Sequence, residues 1–388
     1  MLPAVQREKK LGRDRSLIAR LSDAYPSAHT PALWDAILDK DPYAVKAMVV
    51  FSANPAISEA NATRVEQALR ALDFLVVVDL FMTPTAKLAD IVLPACTFLE
   101  KTRFTAYDAH SDHGWNVPSR VVLSPKAIEP LHESWSDWAI ICELGRRLGY
   151  AEYFPWKSEE ESIDATLHPL GLDCARLRAH PEGIQVHIPP FLYKKMTGPV
   201  GAVGRSVLAH TMFRGYPDMY RKYEGFMHGF NTPSKKIELY SQRLHELGFD
   251  PLPVYREPAE SPLSRPDLAQ TFPYVLIGGS KMSMYTHTMM RNITALREQG
   301  PRAITELHPA TAATLGIAAG DAVKVSSPRG SIVTAAQVTN RIDARVVHVT
   351  YGFEDGNANV LMDHRACDPI TGSTGLKSCL CRVEKLER

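Results

Sequence analysis

The chain has 388 residues, 22% of them charged and 45% hydrophobic, with a formal net charge of +1. That length calls for two or three domains, and the charge balance excludes a surface built for nucleic acid or anionic membrane. No apolar run reaches bilayer length, and the Arg- and Lys-rich start lacks the apolar core of a secretory signal.

In chain order, residues 1–28 read as a helix or a loose arm. Thr30-Pro31 predicts a helix start, a capping hydroxyl followed by proline at the first helical position. Trp34, Ile37 and Leu38 then form its apolar face. Ala47–Phe51 is a continuous apolar run of parallel-strand character. Asn54-Pro55 turns the chain, because proline pushes the preceding residue out of the helical region. Asn61–Leu72 predicts a helix with Val65, Ala68, Leu69 and Leu72 inward, and Phe74–Val78 the next strand. This order is a βαβ unit with a right-handed crossover. After Asp79 come Thr83 and Thr85, a short helical turn at 86–89, and an apolar stretch, Ile91–Leu93, expected to be buried.

Trp135–Leu148 predicts a helix with Trp138, Ile141, Cys142, Leu144 and Leu148 on the apolar face, ended by Gly149. Residues 151–265 change character, with acidic clusters (Glu159-Glu160-Glu161) and prolines (Ile188-Pro189-Pro190). Residues 251–266 hold five prolines and read as a linker. Beyond Phe272 the pattern is β: Tyr274–Ile277, Ala322–Ser326, Ile332–Val338 and Val346–Thr350, with a short helix at Pro309–Leu315 and turns at Gly320-Asp321 and Pro328–Gly330. Short strands and tight turns predict a β-barrel. The six cysteines lack zinc or iron–sulfur spacing and read as small buried thiols. Cys379 and Cys381 would share one face of a strand.

Asp79 stands out because ligands of open α/β sheets bind beyond the carboxyl ends of strands. A carboxylate there accepts two hydrogen bonds and suits a nucleobase edge or a ribose, or else caps the next turn. Asn54 would face a phosphate or ribose, or close an Asx-turn before Pro55. Thr83 and Thr85 offer hydroxyls to ribose or pyrophosphate, and Thr85 equally suits a helix cap. Asp90 reads as a structural tie to backbone donors. Gly278-Gly279-Ser280-Lys281 follows a barrel strand, and glycines there let amides approach an anion. His110, Asp112 and His113 lie close together without a second ligand pair, so a metal reading is disfavoured.

Asn54-Pro55, Asp79, Thr83–Ala86 and Ala89–Pro94 together resemble the molybdopterin oxidoreductase family. A second set agrees: Leu307-His308-Pro309, Leu315-Gly316-Ile317, Ser327–Gly330, Asn359-Val360-Leu361, Asp368–Gly372 and Lys377. These last motifs look most like the polysulfide/thiosulfate reductase and acetylene hydratase branch. The resemblance implies an α/β fold, with an open parallel-sheet Rossmann-like domain over 1–155. An irregular connecting region over 156–265 and a β-barrel of double-psi type over 266–388 would follow. It implies a cofactor, bis-(molybdopterin guanine dinucleotide) with molybdenum or tungsten. On that basis Asp79 meets guanine, and His287, Thr288, Arg291 and Asn292 form a pterin-contacting segment. Asn359 and Lys377 would be late pterin contacts, and Gly279 and Lys281 contacts where the family has arginine in place of lysine. His110, His113 or Trp115 would line a substrate funnel. Arg103 stands where the family often has glycine.

Family members begin with a 4Fe–4S domain and a domain supplying the metal ligand. Neither motif set occurs here, so the expectation is the C-terminal half of a catalytic subunit, without catalytic or metal-ligating residues of its own. Its partners would be the N-terminal half, carrying the 4Fe–4S cluster, and an iron–sulfur electron-transfer subunit. The alternatives are a non-catalytic accessory or truncated subunit, or part of a hydratase or hydroxytransferase. The polar start implies a cytoplasmic chain, or a periplasmic one exported with a partner.

Overall fold

A computed structural model describes residues 4–21, 28–107, 120–186, 234, 237–280 and 282–387. These divide into two units: Met1–Leu93 with Arg256–Arg388, and Pro94–Tyr255.

In the first unit, helices α1 (Ala4–Glu8) and α2 (Leu17–Leu21) precede α3 (Thr30–Asp39). The hydroxyl cap expected at Thr30 is not made. The helix already includes Thr30, and His29 before it caps nothing with its side chain, its ring nitrogen instead lying 2.8 Å from the Gly372 carbonyl. Strand β1 (Ala47–Phe51) pairs in parallel with β2 (Phe74–Asp79), Ala47 opposite Phe74 and Phe51 opposite Val78. The crossover holds two helices, α4 (Pro55–Ser58) and α5 (Ala62–Arg70). Val65, Ala68 and Leu69 of α5 pack onto Val50, Leu75 and Val77, the stripe that helical periodicity requires. Strand β3 (Ile91–Pro94) extends the sheet to the order β1-β2-β3. Its residues are half-buried or exposed and not the buried stretch expected, because β3 is an edge strand.

The same unit contains a closed barrel of six strands. They are β7 (Tyr274–Ser280), β8 (Ile304–Leu307), β9 (Ala322–Ser327), β10 (Gly330–Val338), β11 (Val346–Thr350) and β12 (Cys379–Lys385), in the order β10-β8-β11-β7-β12-β9. Two pairings are parallel, β10 with β8 and β11 with β7, and the other four are antiparallel. This is the double-psi type of barrel, and closure removes the sheet edges that invite aggregation. Leu276, Leu307, Val323, Val347 and Cys381 fill it, each Leu worth roughly 1.5–3 kcal/mol of burial. Cys379 and Cys381 both point inward, as their spacing predicts.

In the second unit β4 (Arg103–Tyr107), β5 (Arg120–Ser124) and β6 (Ile184–Gln185) form an antiparallel sheet. Helix α6 spans Asp137–Gly145, and the Ser136 hydroxyl accepts from the Ala139 amide. Trp135 lies outside it, bridged to Ala95. Of the expected apolar face Cys142 is buried, whereas Ile141, Leu144 and Leu148 are exposed. Helices α7 (Glu159–Leu167) and α8 (Cys174–Arg178) supply Ile163, Leu167 and Leu177 to a core with Val121 and Leu123. The three glutamates of the acidic cluster form the first turn of α7, where carboxylates offset the helix dipole. The side chains of His110, Asp112, His113 and Trp115 lie outside the described residues, as do Lys281 and Ile188-Pro189-Pro190.

Candidate cofactor-binding site

Because β1 and β2 run parallel, their carboxyl ends open on one edge, and Asn54, Asp79, Thr83 and Thr85 gather there. Asp79 is half-buried. Its Oδ1 accepts from the Leu80 amide at 2.7 Å and the Phe81 amide at 3.2 Å. One oxygen therefore caps the turn, and no hydrogen bond from a described residue reaches Oδ2. A paired contact to two donors of a base would use Oδ2 and displace the longer Phe81 bond. Leu80, Phe81 and Met82 beside it are exposed, an apolar surface next to a carboxylate.

Asn54 and Thr85 are both buried and bonded to each other. Asn54 Oδ1 accepts from the Thr85 hydroxyl at 2.7 Å and the Thr85 amide at 3.2 Å, and Thr85 Oγ1 accepts from the Ala56 amide at 3.2 Å. Thr83, and not Thr85, caps the next helical turn, its hydroxyl accepting from the Ala86 amide at 3.2 Å. Asp90 is the structural tie expected, since its Oδ2 accepts from the Leu75 amide at 2.7 Å.

The second group lies on the barrel. Gly279 is the penultimate residue of β7 and follows Gly278, whose amide donates to the Leu376 carbonyl at 3.0 Å. A Cβ at Gly278 would lie 2.2 Å from the Met362 methyl and 3.1 Å from that carbonyl, so a side chain there would press on both. Lys377, exposed, follows directly. The loop after β7 holds His287 and Met290 at positive φ, 49° and 68°, a cost that non-glycine residues carry where surrounding structure imposes it. Arg291 imposes part of it. Its Nη2 donates to the His287 carbonyl at 3.1 Å and the Tyr351 carbonyl at 2.7 Å. The guanidinium carbon lies 4.2 Å from the Tyr285 ring centre and 3.8 Å from that of Phe353. Its Nε and Nη1 are buried without a partner among the described residues. Burial pulls its pKa below the usual arginine range. Thr288 is half-buried and His287 exposed. Asn359 is buried, and its amide is spent on the Ile57 carbonyl at 2.8 Å.

Tyr351 joins the two groups: its hydroxyl donates to the Ser58 carbonyl at 3.1 Å, and His287 Nδ1 lies 3.5 Å from it. Tyr351, Tyr285, Phe353 and Asn357 escape sequence reasoning. The available signal is local, the Tyr351-Gly352 that follows the strand ending at Thr350 and the alternating Asn357-Ala358-Asn359. Among the described residues no group of three or more His, Cys, Asp or Glu side chains could hold a metal ion, and no helix is long and apolar enough to cross a membrane.

Two family models match the chain. "Molybdopterin oxidoreductase" covers residues 37–147 and "Molydopterin dinucleotide binding domain" covers 274–380. Acetylene hydratase of Syntrophotalea acetylenica is 31% identical over 79% of this chain and 36% of its own length. A formate dehydrogenase subunit alpha of Methanocaldococcus jannaschii is 31% identical over 90% of this chain and 45% of its own. The assimilatory nitrate reductase catalytic subunit of Bacillus subtilis is 30% identical over 87% and 42%. The chain thus spans less than half the length of these curated relatives. The solved acetylene hydratase from Pelobacter acetylenicus superposes with a TM-score of 0.77 at 24% identity, over 99% of this chain and 53% of that one, a likeness of fold.

Proposed function

The chain belongs to the molybdopterin oxidoreductase family, and from that premise we propose that it holds the guanine dinucleotide and pterin of the cofactor in a molybdenum or tungsten oxidoreductase. The observation that carries this is Asp79 at the carboxyl edge of a parallel pair, with Oδ2 unclaimed by described residues, on the same unit as a dinucleotide-binding barrel. Guanine presents N1–H and N2–H₂ side by side, the donor pair that one carboxylate answers. Thr83 and the Asn54–Thr85 pair then lie on the ribose and phosphate side. The orphaned Nε and Nη1 of Arg291 are donors suited to the carbonyl and ring nitrogens of a pterin. Gly279, His287, Thr288 and Lys377 make up the rest of that wall, Lys281 is a further contact on the family resemblance alone, and Asn359 stands behind it. When bound, the group supplies two-electron chemistry at its metal, as in oxygen- or sulfur-atom transfer. This chain's residues bind and orient it, and none is a metal ligand. A 4Fe–4S cluster and the metal's protein ligand would come from the remaining part of the catalytic subunit, on the same polypeptide or on a partner.

The test is nucleotide binding by the purified chain. GDP binds in preference to ADP, and Asp79→Asn weakens GDP by at least about tenfold, because an amide offers N–H donors to N–H donors. Equal binding of GDP and ADP, or an Asp79→Asn chain that binds GDP normally, overturns the proposal. A hydratase of the same family is a second reading, favoured by the similarity to acetylene hydratase. Dependence of the assembled enzyme's turnover on an external electron carrier separates the two.

A further inference from the structure

Three barrel side chains donate to three successive carbonyls of α4. Asn357 Nδ2 donates to Ala56 at 3.2 Å, Asn359 Nδ2 to Ile57 at 2.8 Å and the Tyr351 hydroxyl to Ser58 at 3.1 Å. All three side chains belong to buried residues. The carbonyls at the end of so short a helix have no intrahelical partner, and here the barrel provides them. The donors also support one another, since Asn357 Oδ1 accepts from the Asn359 amide at 3.1 Å. The other end of α4 is tied to the nucleotide edge. The Ala56 amide donates to Thr85 Oγ1, and the Thr85 hydroxyl donates to Asn54 Oδ1. Hydrogen bonds therefore run unbroken from the barrel through one helical turn to the loop beside Asp79.

We propose that Tyr351, Asn357 and Asn359 are positioning residues that fix the Asn54–Thr85 edge through α4, so that the sheet-borne and barrel-borne walls of the cofactor site are set in register before the cofactor arrives. This rests on the function proposed above for its ligand, and it gives Asn359 a role other than direct pterin contact. The amide of Asn359 is engaged with Ile57, and its side chain lies within a residue only 1% exposed. Asn54 and Thr85 serve the phosphate and ribose side, whereas Asp79 is held by its own turn. The lock therefore acts on phosphate contacts and not on the base.

The test compares the full chain with Asn357→Ala/Asn359→Ala and with Tyr351→Phe. The first readout is amide hydrogen exchange without ligand. Exchange at Ala56, Ile57, Ser58 and Thr85 rises about tenfold, while the barrel strands keep their protection. The second readout is binding of GDP against guanosine. GDP weakens about tenfold and guanosine is unchanged. Unaltered exchange in the ligand-free variants overturns the proposal, as direct contact with the cofactor would give that result. Equal loss of GDP and guanosine together with general deprotection also overturns it, as the mark of a merely structural role. Should the double variant not fold, Tyr351→Phe removes a single hydroxyl and decides by the same readouts. If the unaltered chain binds no GDP, the proposed function fails, and the exchange comparison alone decides the lock.

Discussion

Arg291 illustrates how one side chain can organise a loop without exposing its charge. Two mutually perpendicular aromatic rings, Tyr285 and Phe353, pack against its guanidinium, and one nitrogen serves two carbonyls. Only a planar fork can stack and donate in this way. Arg291→Lys keeps the charge but loses the stacking and leaves at least one buried carbonyl unanswered. It should cost about 1–3 kcal/mol in urea unfolding, and exchange should rise at His287 and Gly352. Unchanged stability would mean that the fork is dispensable. At this scale the sequence names candidate residues but not what they touch. Asn54 and Thr85 are singled out by residue type and position, Arg291 and Asn359 by the family resemblance, yet each spends part of its polar capacity on protein atoms. Most of those partners lie far away in sequence, across the Asn54–Thr85 pair, on α4 or just beyond β11, so no local pattern could name them.

Among the elements, legibility followed the strength of the local pattern. The parallel pair β1–β2 and strands β7, β9, β10 and β11 were readable because their runs are continuous and largely apolar and β-branched. Strand β8 was not, since Ile304–Leu307 carries a threonine and a glutamate, and Glu306 is matched by His348 directly opposite on the neighbouring strand β11, at 2.7 Å. The start of α6 was misplaced because Trp135 is apolar, while the physical start is the Ser136 cap. The loop after β3, bonded to the one before α6, carries its own pH dependence. Glu100 is buried and accepts from the Thr97 and Leu131 amides, each at 2.7 Å, and from Ser134. Hydrogen bonds from Thr97, Leu131 and Ser134 pull its carboxyl from an ordinary 4.5 to about 2. A folded-state pKa below the unfolded one gives stability that is fully present above the unfolded value and lost as pH falls through the folded one. Glu100→Gln should therefore lower the melting temperature of this unit at pH 7. The gap from the unaltered chain should close as pH falls from about 4.5 to about 2. A gap independent of pH would mean that the ionised carboxylate is not what the loop requires.

For the molecule as a whole, the chain leaves the first unit at Leu93 and re-enters it at Arg256, so its return to the barrel must be fixed in place. Glu260 does this. Its carboxylate takes both terminal nitrogens of Arg329 and the Leu380 amide, and its carbonyl accepts from the Ser378 hydroxyl. Arg329 completes the site by donating through Nε to the Leu361 carbonyl. Both side chains are nearly buried, 11% and 12% exposed. In such surroundings the desolvation cost nearly cancels the attraction of the pair, whereas removing one partner strands the other charge. Glu260→Gln alone should lower stability by about 3–5 kcal/mol. Glu260→Leu with Arg329→Met, which removes both charges, should recover most of that loss. The same order should hold for protease cleavage near Tyr255 and Leu263, both exposed on the returning segment. Cleavage would be fast in the single variant and slow in the double. If the double variant is as unstable as the single, the pair contributes more than neutralisation. The Leu380 and Leu361 bonds would then be what holds the returning segment against the barrel.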